Sequence, residues 1–257
     1  MKISISQQTD GNSADILDRR GSGRSAFGGG YIYGGECGLP KESFRSENRR
    51  RKVGSKEYQL CMDLVKYDVK MEIQKRYDAL YGEDFWEQSY EGQYGYEILA
   101  DHTVEKIKYI HAVYDLAEEY GDVSDGSFAA IEKRWKQENA KRQKKVEDGE
   151  VIYGLKEYTF DLYMQYEISM YKEIYCNDTD RKGMDLTEEE VAEYYSQGEW
   201  VFQDDGEKAD LETARIAVER ELREKKYDAM IAQMTEDLEV SGDLEAVDRF
   251  TLDHLKR

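Results

Sequence analysis

Pro40 is the only proline in 257 residues, so the chain from Gly54 onward contains no helix breaker of that kind. Over the same stretch apolar residues recur every three or four positions, the period of an amphipathic helix. Tyr58, Met62, Val65, Val69, Ile73, Tyr77 and Leu80 mark a first helix, with Ser55 as its N-cap and a stop near Gly82. A second runs from about Glu97 to Tyr120. A third starts between Ser124 and Ser127 and carries Phe128, Ile131 and Trp135. It becomes wholly polar at "KQENAKRQKK" and ends near Gly149. Such an end must project into solvent or meet a polar partner. Thr187 and Glu190 form a capping box ahead of a short helix that ends near Gly198. A last long helix spans about Leu211 to Leu238, and Gly242 marks a turn before a short terminal helix. Strand-like alternation is scarce, and the fold class read from this pattern is all-α.

The stretch "VIYGLKEYTFDLYMQYEISMYKEIY", residues 151–175, holds six tyrosines in twenty-five positions. A tyrosine buries a ring while its hydroxyl stays wet or finds a partner, so these rings either fill a core or form a contact surface. A fourth helix starts near Tyr158. Tyr163, Tyr166, Met170 and Ile174 form one stripe on it, and Met164, Ile168, Tyr171 and Tyr175 an adjacent one. Together they exceed the usual apolar face, which predicts contact on two sides and makes this helix a candidate centre of the fold. Tyr163, Tyr166 and Tyr171 are expected to be buried. Tyr153 and Tyr158 precede or open the helix and are expected to remain accessible.

Residues 1–52 read as a separate, irregular segment, with residues 53–257 as the helical domain. "GSGRSAFGGGYIYGGECGLP" holds eight glycines in twenty residues, a density that offers little to bury. The charge is divided along the same line. Ten Lys/Arg against six Asp/Glu give residues 1–52 a balance of +4, and the remainder carries −23 of the total −19. A body so acidic repels nucleic acid and anionic membrane. The basic run Arg45–Lys52 has no aromatic platform beside it and reads as a solvated linker. No run approaches the ~20 apolar residues of a membrane-spanning helix, and "MKISISQQTD" shows no apolar core of a secretion signal.

No catalytic constellation emerges. Cys37, Cys61 and Cys176 are widely spaced and form no CxxC pair. His102 and His111 are too far apart for neighbouring turns of one helix face, and neither lies in an HExxH or Glu-x-x-His motif. His111 reads as a packed or rim histidine. There is no GxSxG elbow, no P-loop and no GxGxxG after a strand. No cofactor and no metal site are expected.

The order of signals from Gly54 to Leu238 resembles the non-catalytic helical part of the SurA/PrsA-type extracytoplasmic foldases, the parvulin-linked chaperones. The stretches that carry the resemblance are "VGSKEYQLCM", "DFWEQ", "LAEEYG", "KQENAKR", the Tyr-rich segment, "DLTEEEVAEYYSQGEWVF" and "ETARIAVERELREKKYDAMIAQMTEDLEV". In isomerase-active members a parvulin module sits between the last two. Here only "QDDGEKAD", Gln203 to Asp210, lies between them, with no histidine. The resemblance therefore implies a SurA-like chaperone domain without its isomerase. It also implies a location outside the cytoplasm, and partners that are unfolded or extended polypeptides. Tyr153, Tyr158, Trp200 and Phe202 are the expected peptide-binding residues. Two other readings compete: a divergent peptidyl-prolyl isomerase, and an interaction protein that anchors one dedicated partner.

Overall fold

The computed structural model describes residues 3–7, 51–201 and 208–256. Among these residues there are seven α-helices: α1 (Ser55–Tyr77), α2 (Gly95–Glu119), α3 (Phe128–Glu147), α4 (Phe160–Asn177), α5 (Glu188–Gln197), α6 (Leu211–Glu236) and α7 (Leu244–Leu255). The all-α expectation is met in the main. Thr187 and Glu190 form the expected capping box of α5, and Ser127 caps α3, but Ser55, expected to cap the first helix, is its first residue, with Gly54 at the N-cap.

Two strand systems depart from that expectation. β1 (Ile3–Gln7) lies antiparallel between β2 (Arg51–Val53) and β5 (Leu238–Gly242). Residues 3–7 and 51–53 are thus not irregular, and the last long helix stops at Glu236 so that Leu238 enters a strand. The alternation in Ile3–Gln7 is the local sign of this, but its pairing partners lie far along the chain. Residues 8–50, the glycine-rich stretch included, fall outside the described residues. A small hairpin joins β3 (Ser89–Tyr90) to β4 (Gln93–Tyr94) through Glu91 and Gly92, both at positive φ, as the tight turn between twisted strands requires.

The centre of the fold is α2, not α4. Residues 110–114 of α2 are buried in an unbroken run, and the helix packs against α1, α4, α6 and α7. All-round burial marks an interior helix. Tyr58 of α1 bonds Thr251 of α7 at 2.6 Å, tying both ends of the helical array across it. α1 ends at Tyr77, with Asp78 in the left-handed region, so Leu80 leaves the expected stripe and is 87% exposed.

α4 is contacted by α2, α3 and α6. Its inner line is Tyr163, Met164, Glu167, Tyr171 and Tyr175. Tyr163 and Tyr171 are buried as expected. Tyr166 is not: it sits about 100° round the helix from Glu167 and is 45% exposed. Ile174, on the same outer flank, is also exposed.

Glu167 is 2% exposed and fully engaged. Oε1 accepts from Tyr163 (2.8 Å) and from Nε of Arg134 (2.7 Å). Oε2 accepts from Tyr114 (2.8 Å) and from Nη2 of Arg134 (2.9 Å). One carboxylate thereby joins α2, α3 and α4, with Arg134 gripping it in the two-pronged geometry that guanidinium favours. Burial works against the charge of Arg134, but the hydrogen bonds and charge of Glu167 hold it above the usual arginine range. Gly126 lets the chain close here, because a Cβ would stand 2.7 Å from Cβ of Tyr114.

The buried phenols couple the fold to alkaline pH. Burial pushes Tyr58, Tyr114, Tyr163, Tyr175 and Tyr227 well above the ordinary value of 10.0, and Tyr171 up to about 12. The folded state holds these protons more tightly than the unfolded chain. Their contribution is complete below pH 10.0 and is lost as pH rises from there towards the folded values. Each tyrosine then costs about 1.4 kcal/mol per pH unit. Tyrosinate absorbance and loss of helical circular dichroism are expected to rise together in one steep step above pH 10.0. Gradual ionisation of all tyrosines with the helices intact would contradict this burial.

Candidate functional site

The polar half of α3 does not project into solvent alone. Between α3 and α4 the chain runs without regular structure across one face of α3. Asn139 clamps this strap: its Nδ2 donates to the Tyr158 carbonyl (2.8 Å), and its Oδ1 accepts from the Tyr158 N–H (2.9 Å). The side-chain amide satisfies both backbone groups of Tyr158, as a neighbouring strand would. Nε1 of Trp135 donates to the same carbonyl at 2.7 Å. Arg142 donates to the carbonyls of Leu155 (2.6 Å) and Tyr153 (3.4 Å), and its guanidinium lies 4.5 Å from the centre of the Tyr158 ring. Residues 135, 138, 139 and 142 share one helical face, so the run that looks merely soluble in sequence is the seat of the strap.

With its backbone fastened, the strap turns apolar side chains outward. Tyr153 is 88% and Val151 75% exposed, and Leu155, Leu162 and Tyr166 are exposed beside them in sequence. Tyr158 is half-buried. Its ring stacks on Tyr166 (5.7 Å between centroids, 25° between planes) and meets Tyr163 at a steep angle (6.1 Å, 67°). A chain of rings therefore leads from the Glu167 carboxylate through Tyr163 and Tyr158 to Tyr166 at the surface.

The other two expected residues do not join this surface. Trp200 belongs to a small second cluster between α5 and α6, with Val191, Ala209, Ala214 and Val218. Its Nε1 donates to the Tyr195 carbonyl (3.1 Å), and its ring stacks near Tyr195. Trp200 is half-buried and its polar atom is used within the fold. Phe202 lies outside the described residues. Val201 and Lys208 form an antiparallel bridge that closes the connection from α5 to α6. Asn139 and Arg142 escape sequence reasoning because a polar helix face carries no sign of what it holds. A second exposed apolar group, Tyr67, Met71, Leu80 and Tyr81, lies at the C-terminal end of α1 and just beyond it.

The described residues contain little reactive chemistry. Burial pushes the Cys61 thiol up to about 12 and Cys176 up to about 11, so both are inert thiols at neutral pH. His111 is packed inside, with Nε2 2.7 Å from Glu57. No group of three His, Cys, Asp or Glu side chains able to hold a metal ion occurs among the described residues. No helix among them is long and apolar enough to cross a membrane.

Over 205 residues, 79% of this chain and 73% of the relative, the sequence is 29% identical to a protein of Bifidobacterium longum subsp. longum described as a chaperone for lacto-N-biosidase. No family model matches the chain, and no solved structure matches it. The likeness to SurA/PrsA-type foldases accordingly rests on the sequence stretches alone.

The clamp is open to test. Asn139→Ala leaves the Tyr158 N–H without its side-chain partner and its carbonyl with Trp135 alone, a local cost of about 1–3 kcal/mol. Trypsin is expected to cleave after Lys156 faster than in the wild type, with cleavage elsewhere unchanged. Equal resistance at Lys156 in both proteins would show that the clamp does not hold the strap.

Proposed function

We propose that the protein is a non-catalytic, chaperone-like polypeptide-binding protein that holds an unfolded or extended client segment on the strap between α3 and α4. The observation that carries this reading is the strap itself: a backbone pinned by Asn139 and Arg142, with Val151 and Tyr153 left almost fully exposed. Apolar side chains on a fixed backbone offer contact area without a large ordering cost on binding. Tyrosine suits such a surface because it presents a large ring with few rotatable bonds and a polar tip. On this reading Tyr153 is the main contact, while Tyr158, expected to be accessible, is half-buried and stacked on Tyr166. Trp200, which packs internally, is a weaker candidate than the sequence suggests, and Leu155 and Tyr166 are added.

The similarity to a chaperone for lacto-N-biosidase supports the chaperone role. On this reading the client is a secreted or cell-surface enzyme, in keeping with the location that the SurA/PrsA resemblance implies. The isomerase alternative has no observation in its favour, since both described cysteines are inert thiols and His111 is turned inward.

Suppression of citrate synthase aggregation on heating tests the surface. Val151→Ser combined with Tyr153→Ala changes two exposed side chains, each worth within about 0.5 kcal/mol of stability. The melting temperature is expected to stay nearly constant while suppression falls several-fold. Full suppression by the double variant would remove the strap as the binding surface.

A further inference from the structure

α4 packs against α2, α3 and α6, and the side it turns away from them carries an apolar row. Leu162, Tyr166, Met170 and Ile174 follow one another at intervals of four. Leu162, Tyr166 and Ile174 are exposed, and Met170 is half-buried. Each step along such a row rises about 6 Å and turns about 40°, so the four form one slanting ridge about 18 Å long. Gln165, Ser169 and Glu173 run beside it, all exposed. The short side chain of Ser169 keeps this second row low at its middle.

The ridge is continuous with the strap, because the Tyr158 ring stacks on Tyr166 (5.7 Å between centroids). What it can hold differs from what the strap can hold. The main-chain groups of α4 are spent within the helix, so an extended segment laid along the ridge finds no backbone donor or acceptor there. A helix arrives with its own hydrogen bonds made, and rows at intervals of four are the surfaces on which two helices most often interlock. Charge narrows the occupant further. Lys172 is paired with Asp228 and Glu167 with Arg134. Among the described residues Glu157, Asp161 and Glu173 make no ion pair, and Lys156 is the one unpaired cation in 151–177. The surroundings of the ridge are therefore acidic and suit a cationic partner.

We propose that the outer ridge of α4 docks a segment of the client as an amphipathic helix, with its apolar face on Leu162, Tyr166, Met170 and Ile174 and lysine or arginine on its flanks. The proposal rests on the polypeptide-binding reading and deepens it. A segment taken up unfolded at the strap becomes helical where it passes onto α4, and the ordering is offset by the apolar surface it covers.

Fluorescein-labelled peptides of about five helical turns, added to the full chain and followed by anisotropy and circular dichroism, test this. The first has leucine along one helical face and lysine on its flanks. The second has the same composition in an order that gives no helical face. The third has glutamate in place of lysine. The first is expected to bind about ten-fold more tightly than either of the others and to gain helix as it binds. Leu162→Gln combined with Ile174→Gln changes two exposed side chains and is expected to abolish the preference over the second peptide, with the melting temperature nearly unchanged. Glu173→Lys, also exposed, is expected to narrow the gap between the first and third peptides, and it decides the matter if the double variant does not fold. Equal binding of the first two peptides, tight binding without a gain of helix, or preferences that either folded variant leaves intact overturn the proposal. The two readings fail separately. If the strap suppresses aggregation but the helical peptide has no advantage, only the ridge falls. If the advantage exists and depends on Leu162 and Ile174 but the Val151/Tyr153 variant suppresses fully, only the strap falls.

Discussion

Glu167 is the point on which the arrangement of helices turns. Its carboxylate is 2% exposed and accepts from an arginine of α3, a tyrosine of α2 and a tyrosine of α4. Ile131 is the one buried residue of α3, and half-buried Phe128 and Trp135 pack on Phe160 of α4 beside the ion pair. A buried ion pair gains little over well-packed apolar groups of the same volume, yet losing one partner costs on the order of 3 kcal/mol because the other is stranded. Its value here is orientation. Nη1 of Arg134 also donates to the Asp125 carbonyl at 2.6 Å, just ahead of α3. With Arg134 pinned at both ends, the rotation of α3 about its axis is set, and Trp135, Asn139 and Arg142 face the strap.

The two possible uses of the tyrosines turn out to be consecutive layers of one structure. Tyr114 and Tyr163 are core residues whose hydroxyls are spent on Glu167. Tyr158 is intermediate, with its backbone held by Asn139 and its ring between Tyr163 and Tyr166. Tyr166 and Tyr153 reach solvent. A phenylalanine-rich segment would bury its rings equally well but would leave the carboxylate with Arg134 as its one remaining donor group. An acidic chain uses tyrosine to keep one of its own carboxylates inside.

The parts of the fold that depend on local chemistry were legible in the sequence. Helix period and the Thr187/Glu190 box gave five long helices and the short α5 near their observed bounds. The sheet was not legible, because β1 finds its partners roughly 50 and 240 residues along the chain. The inside of α4 was half legible. The line through Met164, Tyr171 and Tyr175 is core, but the inner line at 167 belongs to a glutamate, and taking tyrosine for the buried type displaced Tyr166 inward. A lone acid four residues from a tyrosine on either side is the signal that was present. For the candidate surface, exposed Tyr153 followed from its place before the helix. The strap's support did not, because it is assembled between α3 and a segment without regular structure.

Hydrogen–deuterium exchange of the full chain, alone and with reduced, carboxymethylated α-lactalbumin as a permanently unfolded client, tests the central claim most directly. The account predicts added protection across residues 151–166, with the α1 end at 67–81 unchanged. Protection confined to 67–81, or none at 151–166 while the client is bound, would contradict it.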